Sequence, residues 1–130
     1  MIFPGFVPAE ELPLWYNTAT VFAYPSSYEG FGLPVIEALA CGRPVITSDV
    51  SSLPEAGGQA AILVPPGSPE ALAEALRRAL AWGPAERAAG PVQAASYSWP
   101  ATAAQTVQSY RRALGMGGRP RGDGQEGDHV

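Results

Sequence analysis

Residues 25–37, Pro-Ser-Ser-Tyr-Glu-Gly-Phe-Gly-Leu-Pro-Val-Ile-Glu, constrain the fold more than any other part of the chain. The apolar run Val21-Phe22-Ala23-Tyr24 precedes them, and a helix that opens with proline follows. A strand, a glycine turn and a helix N-terminus in that order make a βα unit. The first N–H groups of a helix have no partner within it, and glycine lets a ligand come close to the backbone. Glu29 stands at the mouth of this turn, and Glu37 lies just over one turn into the helix. Both carboxylates therefore reach one ligand from different sides. A ligand carrying both phosphate and hydroxyl groups matches that pairing of anion-seeking backbone and hydrogen-bond-accepting side chains.

The rest of the sequence extends the pattern. Residues 2–7 read as a short strand, and 8–17 as a short helix with Glu10 and Glu11 in its first turn, where the helix dipole favours acids. The helix after the glycine turn runs from about Leu33 to Ala40, with Pro34 in its first turn and Gly42 at its C-terminal end. Pro44–Ser48 and Ala61–Val64 are further apolar runs, and like Val21–Tyr24 they suit strands buried on both faces. Ser68 caps a helix with Pro69 at its first position, and Leu72, Leu76 and Leu80 follow helical spacing. Gly83, Pro84, Gly90 and Pro91 break the segment 82–96 into short helices, and a last helix runs from Trp99 to Leu114 with Val107, Tyr110 and Leu114 on one face. Short apolar strands alternating with helices predict an α/β fold with a short parallel sheet flanked by helices.

Bulk properties narrow the function. The net charge of −4 divides as −3 over residues 1–114 and −1 over 115–130, with no basic face to suit nucleic acid or an anionic membrane. No run approaches the roughly 20 apolar residues of a spanning helix, so no transmembrane segment is expected. The single cysteine, Cys41, excludes an internal disulfide and fits a cytoplasmic protein; it is expected to be a small buried residue rather than a nucleophile. Residues 115–130 lack large aliphatic side chains until the last position and read as a disordered Gly-rich tail, which contains the single histidine, His129.

From Pro25 to Ile46 the sequence resembles the donor-binding motif of retaining glycosyltransferases of family four, the glycosyltransferase group one type. The resemblance extends from about Phe3 to Leu114, including Val21–Tyr24, Ser51-Ser52-Leu53-Pro54-Glu55 and Ser98-Trp99. It implies the C-terminal, donor-binding part of a GT-B fold: an incomplete Rossmann-like domain over 1–114, the second half of the C-terminal domain. It also implies transfer of a hexose, with retention, from a UDP- or GDP-linked sugar. By the same resemblance Glu29 is the catalytic glutamate beside the donor sugar. The backbone of Gly30, Phe31, Gly32 and Leu33 meets the sugar and distal phosphate, and Glu37 accepts from the ribose hydroxyls. No metal or cofactor is implied. The family's first two strand-helix units, with the Arg and Lys that clamp the diphosphate, have no counterpart here. Nor has the N-terminal domain, through which an acceptor glycan, lipid or small molecule would bind. A partner chain that completes the cleft is one expectation; a non-catalytic nucleotide-sugar or protein-binding remnant is the alternative. A hydride-transfer module fits less well, because Val35 stands where a third glycine belongs.

Several residues keep two readings. Tyr28 either lines the donor pocket or covers the strand end, and Ser26 and Ser27 are either site helpers or plain loop. Asp49 and Glu55 follow the next strand, at the carboxyl edge where α/β folds bind ligands, and are either ligand carboxylates or, the preferred reading, exposed loop and cap carboxylates. Trp15, Trp82 and Trp99 are expected to serve packing, and Arg43, at the far end of the motif helix, does not replace the diphosphate clamp.

Overall fold

The computed structural model describes residues 1–116, which divide into two compact units, 1–96 and a second that begins at Tyr97. In the first unit the elements run α1 (Leu12–Thr18), β1 (Phe22–Tyr24), α2 (Leu33–Ala40), β2 (Val45–Ser48), α3 (Leu53–Gly57), β3 (Ala61–Val64), α4 (Pro69–Leu80) and α5 (Pro84–Ala95). The three strands form one parallel sheet in the order β1-β2-β3, as the alternation of apolar runs and helices predicts.

Register decides what each strand buries. Ala23, Ile46 and Ile62 are paired across the sheet and share one face. On that face Ile46, Ile62 and Val64 form a core with Ala75 and Ala79 of α4, flanked by Leu72, Leu76 and Trp82. Each fully buried aliphatic side chain contributes about 1.5–3 kcal/mol. Helix α4 packs on β2 and β3, and Ala23 on β1 stays exposed. The opposite face is met by α2 and α3, whose Val35, Ala38, Leu39 and Leu53 are fully buried.

Only β2, the central strand, is buried along its whole length. The expectation of burial on both faces therefore fails at the edges, where Ala23 is exposed and Leu63 keeps 40% of its surface. The expected strand over 2–7 is absent as well. Those residues pair with no strand among the described residues, and Ile2, Phe3 and Phe6 are exposed.

Helix boundaries show two further differences. Helix α1 begins at Leu12 rather than at Pro8, so Glu10 and Glu11 lie before its first turn and Pro13 takes a first-turn position that needs no N–H. The segment 82–96 holds one twelve-residue helix, not several short ones, despite Gly90 and Pro91 inside it. Glycine is required there by packing, because a Cβ on Gly90 would stand 2.8 Å from the carbonyl oxygen of Leu39 in α2. Tertiary packing against α2 thus overrides local propensity.

The described part of the second unit is α6 (Trp99–Ala113), capped by Ser98, whose Oγ accepts from the Ala101 N–H. Its residues are exposed, Val107, Tyr110 and Leu114 among them, and Trp99 keeps 76% of its surface. Gly115, at φ +69°, donates to Arg112 O, and Met116 donates to Arg111 O, so these two residues close the helix rather than starting a tail. The remainder of the expected tail, 117–130, lies outside the described residues, His129 included.

Candidate functional site

The carboxyl ends of β1 and β2 converge where α/β folds bind ligands, and the glycine turn lies there. Helix α2 starts at Leu33, as the sequence predicts. Pro34 has no N–H to lose, and Val35 and Ile36 donate back to Gly32 O at 3.0 and 3.4 Å. Leu33 has no acceptor within the helix.

The two turn glycines have different duties. Gly32 is at φ +94°, and a Cβ there would lie 2.9 Å from Leu53 Cδ2, so both backbone and packing demand glycine. Gly30 has an ordinary φ, and among the described residues no atom beyond its own chain neighbours lies within 4 Å of where its Cβ would be. Nothing among the described residues needs Gly30 to be bare.

Glu29 is held at three points. Its N–H donates to Ser51 Oγ at 3.1 Å, and its carbonyl accepts from Ser52 Oγ at 3.0 Å. Its Oε1 accepts from the Tyr24 hydroxyl at 2.6 Å, a charge-assisted bond that closes the loop back onto the last residue of β1. Thr47, fully buried on β2, donates to Tyr24 O and anchors that strand end.

Glu37 is exposed on α2, and its Oε2 accepts from the Tyr16 hydroxyl of α1 at 2.8 Å. Each motif glutamate therefore has one oxygen engaged by a phenol, which fixes its side chain. A carboxylate offers about four lone-pair sites, so most of its accepting capacity remains. Both phenols are pushed above their ordinary range. For Tyr16 burial is the largest cause, followed by the bond to Glu37 and its charge; for Tyr24 the bond to Glu29 leads, then burial.

Around this centre, Tyr28 and Ser27 are exposed, and Ser26 donates to Tyr28 O within its own loop. Phe31 and Leu33 are exposed at the turn. Asp49 and Glu55 are exposed, as expected of loop and cap carboxylates. Arg43 is occupied at the far end of α2, where its Nε donates to Cys41 O and its Nη1 to Asn17 O. Cys41 is half-buried rather than buried, because it forms the C-cap of α2. Trp15 is exposed where packing was expected, whereas Trp82 does pack on the α4 core. A separate apolar hollow of about 250 Å³, lined by Pro25, Val64, Pro65, Ser68 and Leu72 among others, contains none of the site residues read from the sequence. Among the described residues no group of His, Cys, Asp or Glu is gathered to hold a metal ion, and no helix is long and apolar enough to cross a membrane.

The sequence marks both glutamates and the turn but does not mark Tyr16, Tyr24, Ser51 and Ser52 as their supports. A signal was present for Tyr24 alone, five residues before Glu29 on the strand that delivers it.

Comparison with known proteins gives the family. Residues 1–81 match the family described as glycosyl transferases group 1. The O-antigen chain mannosyltransferase B of Escherichia coli is 42% identical over 110 residues, which cover 82% of this chain and 29% of that protein. A D-inositol 3-phosphate glycosyltransferase of Frankia alni is 42% identical over 113 residues, covering 82% of this chain and 28% of its own. The solved structure of a sucrose-phosphate synthase from Thermosynechococcus elongatus superposes with a TM-score of 0.76 at 38% identity, over 89% of this chain and 31% of that one. The chain thus spans under a third of the length of these relatives.

Proposed function

The chain belongs to the group 1 glycosyl transferases, and from that membership we propose that its β1–turn–α2 unit binds the nucleotide-sugar donor of an enzyme that transfers a hexose with retention. The bond from the anomeric carbon to the diphosphate oxygen breaks, the nucleoside diphosphate leaves, and an acceptor hydroxyl oxygen bonds that carbon on the same face while its proton passes to the departing phosphate oxygen. Glu29 stabilises positive charge at the anomeric carbon and holds sugar hydroxyls. The N–H groups of Gly30, Phe31, Gly32 and Leu33, with the positive end of the α2 dipole, meet the distal phosphate and the sugar. Glu37 accepts from the vicinal ribose hydroxyls, two donors against two acceptor oxygens.

The observation that carries this reading is the pair of anchored carboxylates, Glu29 and Glu37, on either side of the α2 N-terminus. Ligand-observed NMR on the chain tests it, with UDP-glucose, GDP-mannose, UDP and GDP as ligands and Glu29→Ala and Glu37→Ala as variants. Donor binding that both substitutions weaken at least tenfold is the expected result. Affinity unchanged in Glu37→Ala would remove the ribose role. A second reading, a binding module without turnover, is favoured by the engagement of Arg43, the cation nearest in sequence, at the wrong end of α2 for a phosphate. Hexose transfer by this chain to any acceptor excludes it.

A further inference from the structure

We propose that Tyr16 and Tyr24 are positioning residues for the two glutamates, Tyr16 serving the nucleotide end of the donor and Tyr24 the sugar end. The proposal rests on the donor-site reading above and assigns the second layer of that site.

The two phenols come from different elements, α1 and the end of β1, yet both donate to a motif glutamate, at 2.8 and 2.6 Å. Phe22 lies between them. Its ring meets Tyr16 edge-on at 5.3 Å and stacks on Tyr24 at 6.1 Å with an interplanar angle of 12°. The three rings form one contiguous aromatic wedge behind the two carboxylates. Tyr16, at 9% exposure, is the only buried residue of α1. Burying a phenol calls for a hydrogen-bond partner, and an exposed carboxylate free to change rotamer would be a poor one unless its place were also fixed.

The consequence for a ligand is pre-organisation. An unanchored glutamate must give up rotamer freedom when it grips a hydroxyl, whereas one already tied through one oxygen has given it up on folding. In Glu37 the tie leaves Oε1 and one lone pair of Oε2 to accept from a diol. In Glu29 it leaves Oε2 and one lone pair of Oε1 for the sugar.

Tyr→Phe removes the hydroxyl and keeps the ring, so the wedge on Phe22 survives. The full chain is titrated by calorimetry with UDP, GDP, UDP-glucose and GDP-mannose. Tyr16→Phe weakens nucleotide and nucleotide sugar alike by about three- to tenfold, the size expected from freezing one side chain. Tyr24→Phe weakens the nucleotide sugar by a similar factor and leaves the free nucleotide untouched. A merely structural role would not produce that split.

If both variants bind like the wild type while Glu29→Ala and Glu37→Ala are weakened, the positioning role falls and the donor reading stands. Equal weakening of every ligand by both variants also overturns the proposal. If the glutamate variants bind like the wild type, or the folded wild type binds none of the four ligands, the donor reading falls and takes the proposal with it. A ligand-free readout guards against a variant that fails to fold. With 13Cζ-labelled tyrosine, Glu37→Gln lowers the alkaline titration of Tyr16 and leaves Tyr24, and Glu29→Gln does the reverse. Titrations unmoved by either change would show that the pairs do not exist in solution.

Discussion

Replacing Gly32 by alanine and Gly30 by alanine separates what the fold needs from what the ligand needs. At Gly32 two costs add. An L-residue in the left-handed region, φ +94° here, loses about 1–2 kcal/mol. The new methyl would also sit 2.9 Å from Leu53 Cδ2 and 3.4 Å from Ala56 Cβ. Leu53 has no exposed surface, so it cannot swing outward, and overpacking of this kind costs about 1–3 kcal/mol. The expected total is about 2–5 kcal/mol, a large share of the roughly 5–15 kcal/mol that holds a domain together.

At Gly30 neither cost applies, and alanine removes conformational freedom from the unfolded chain. Gly30→Ala should be neutral or stabilising by up to about 1 kcal/mol. Its methyl would instead project into space that the described residues leave empty and that the donor-site reading fills with the donor. Urea unfolding followed by far-UV circular dichroism gives both stabilities, and titration with GDP-mannose gives both affinities. The expected pattern is Gly32→Ala unstable, and Gly30→Ala stable but at least tenfold weaker for donor. A Gly32→Ala loss below about 1 kcal/mol with an unchanged denaturant slope would refute the steric reasoning. Wild-type donor affinity in Gly30→Ala would refute the claim that the ligand, not the fold, is what keeps Gly30 bare.

Gly90→Ala places a methyl 2.8 Å from the backbone oxygen of Leu39, which no rotamer change relieves. A net loss of at least about 1 kcal/mol should remain in urea unfolding after the roughly 1 kcal/mol that alanine gains in helix propensity, and any stabilisation would contradict it. Tyr16 gives a pH dependence: its folded phenol holds its proton above the ordinary value near 10, so its contribution is complete below pH 10 and is lost as pH rises further. Tyr16→Phe should therefore flatten the alkaline fall in stability, whose slope for one phenol is at most about 1.4 kcal/mol per pH unit; identical wild-type and variant slopes above pH 10 would show that Tyr16 is not held neutral by the fold.

The parts of this protein that were legible in its sequence are those whose causes are local. Pro34 and Gly42 bound α2 because one lacks an N–H and the other takes φ +64°, and Ser68 and Pro69 start α4 for equally short-range reasons. Where packing partners decide, the sequence pattern misled. Gly90 and Pro91 look like helix breakers, yet α5 runs through both because it crosses α2 closely there. Ala61-Ile62-Leu63-Val64 looks like a strand covered on both faces, yet it lies at an edge and leaves Leu63 half outside. Trp99 is large and apolar, which suggests burial, but no local rule supplies the surface that would cover it.

The site divides along the same line. Glu29, Gly32 and Glu37 are spaced by the turn and the helix, so a short window of sequence contains them. Tyr24, five residues before it, holds the Glu29 side chain, but what fixes its backbone comes from 22 and 23 residues away, through Ser51 and Ser52, and what fixes Glu37 comes from 21 residues before it, through Tyr16. Ser51 shows that such a support has a cost. It is the only non-glycine residue at positive φ among those described, at +52°. Glycine would relieve that backbone strain but would also remove the hydroxyl that accepts the Glu29 N–H. A strained residue persists where its surroundings over-determine it, and such residues gather at functional sites. Here the strain stands beside the loop that carries Glu29, on the carboxyl edge of the sheet, which is where a precisely held carboxylate has a use.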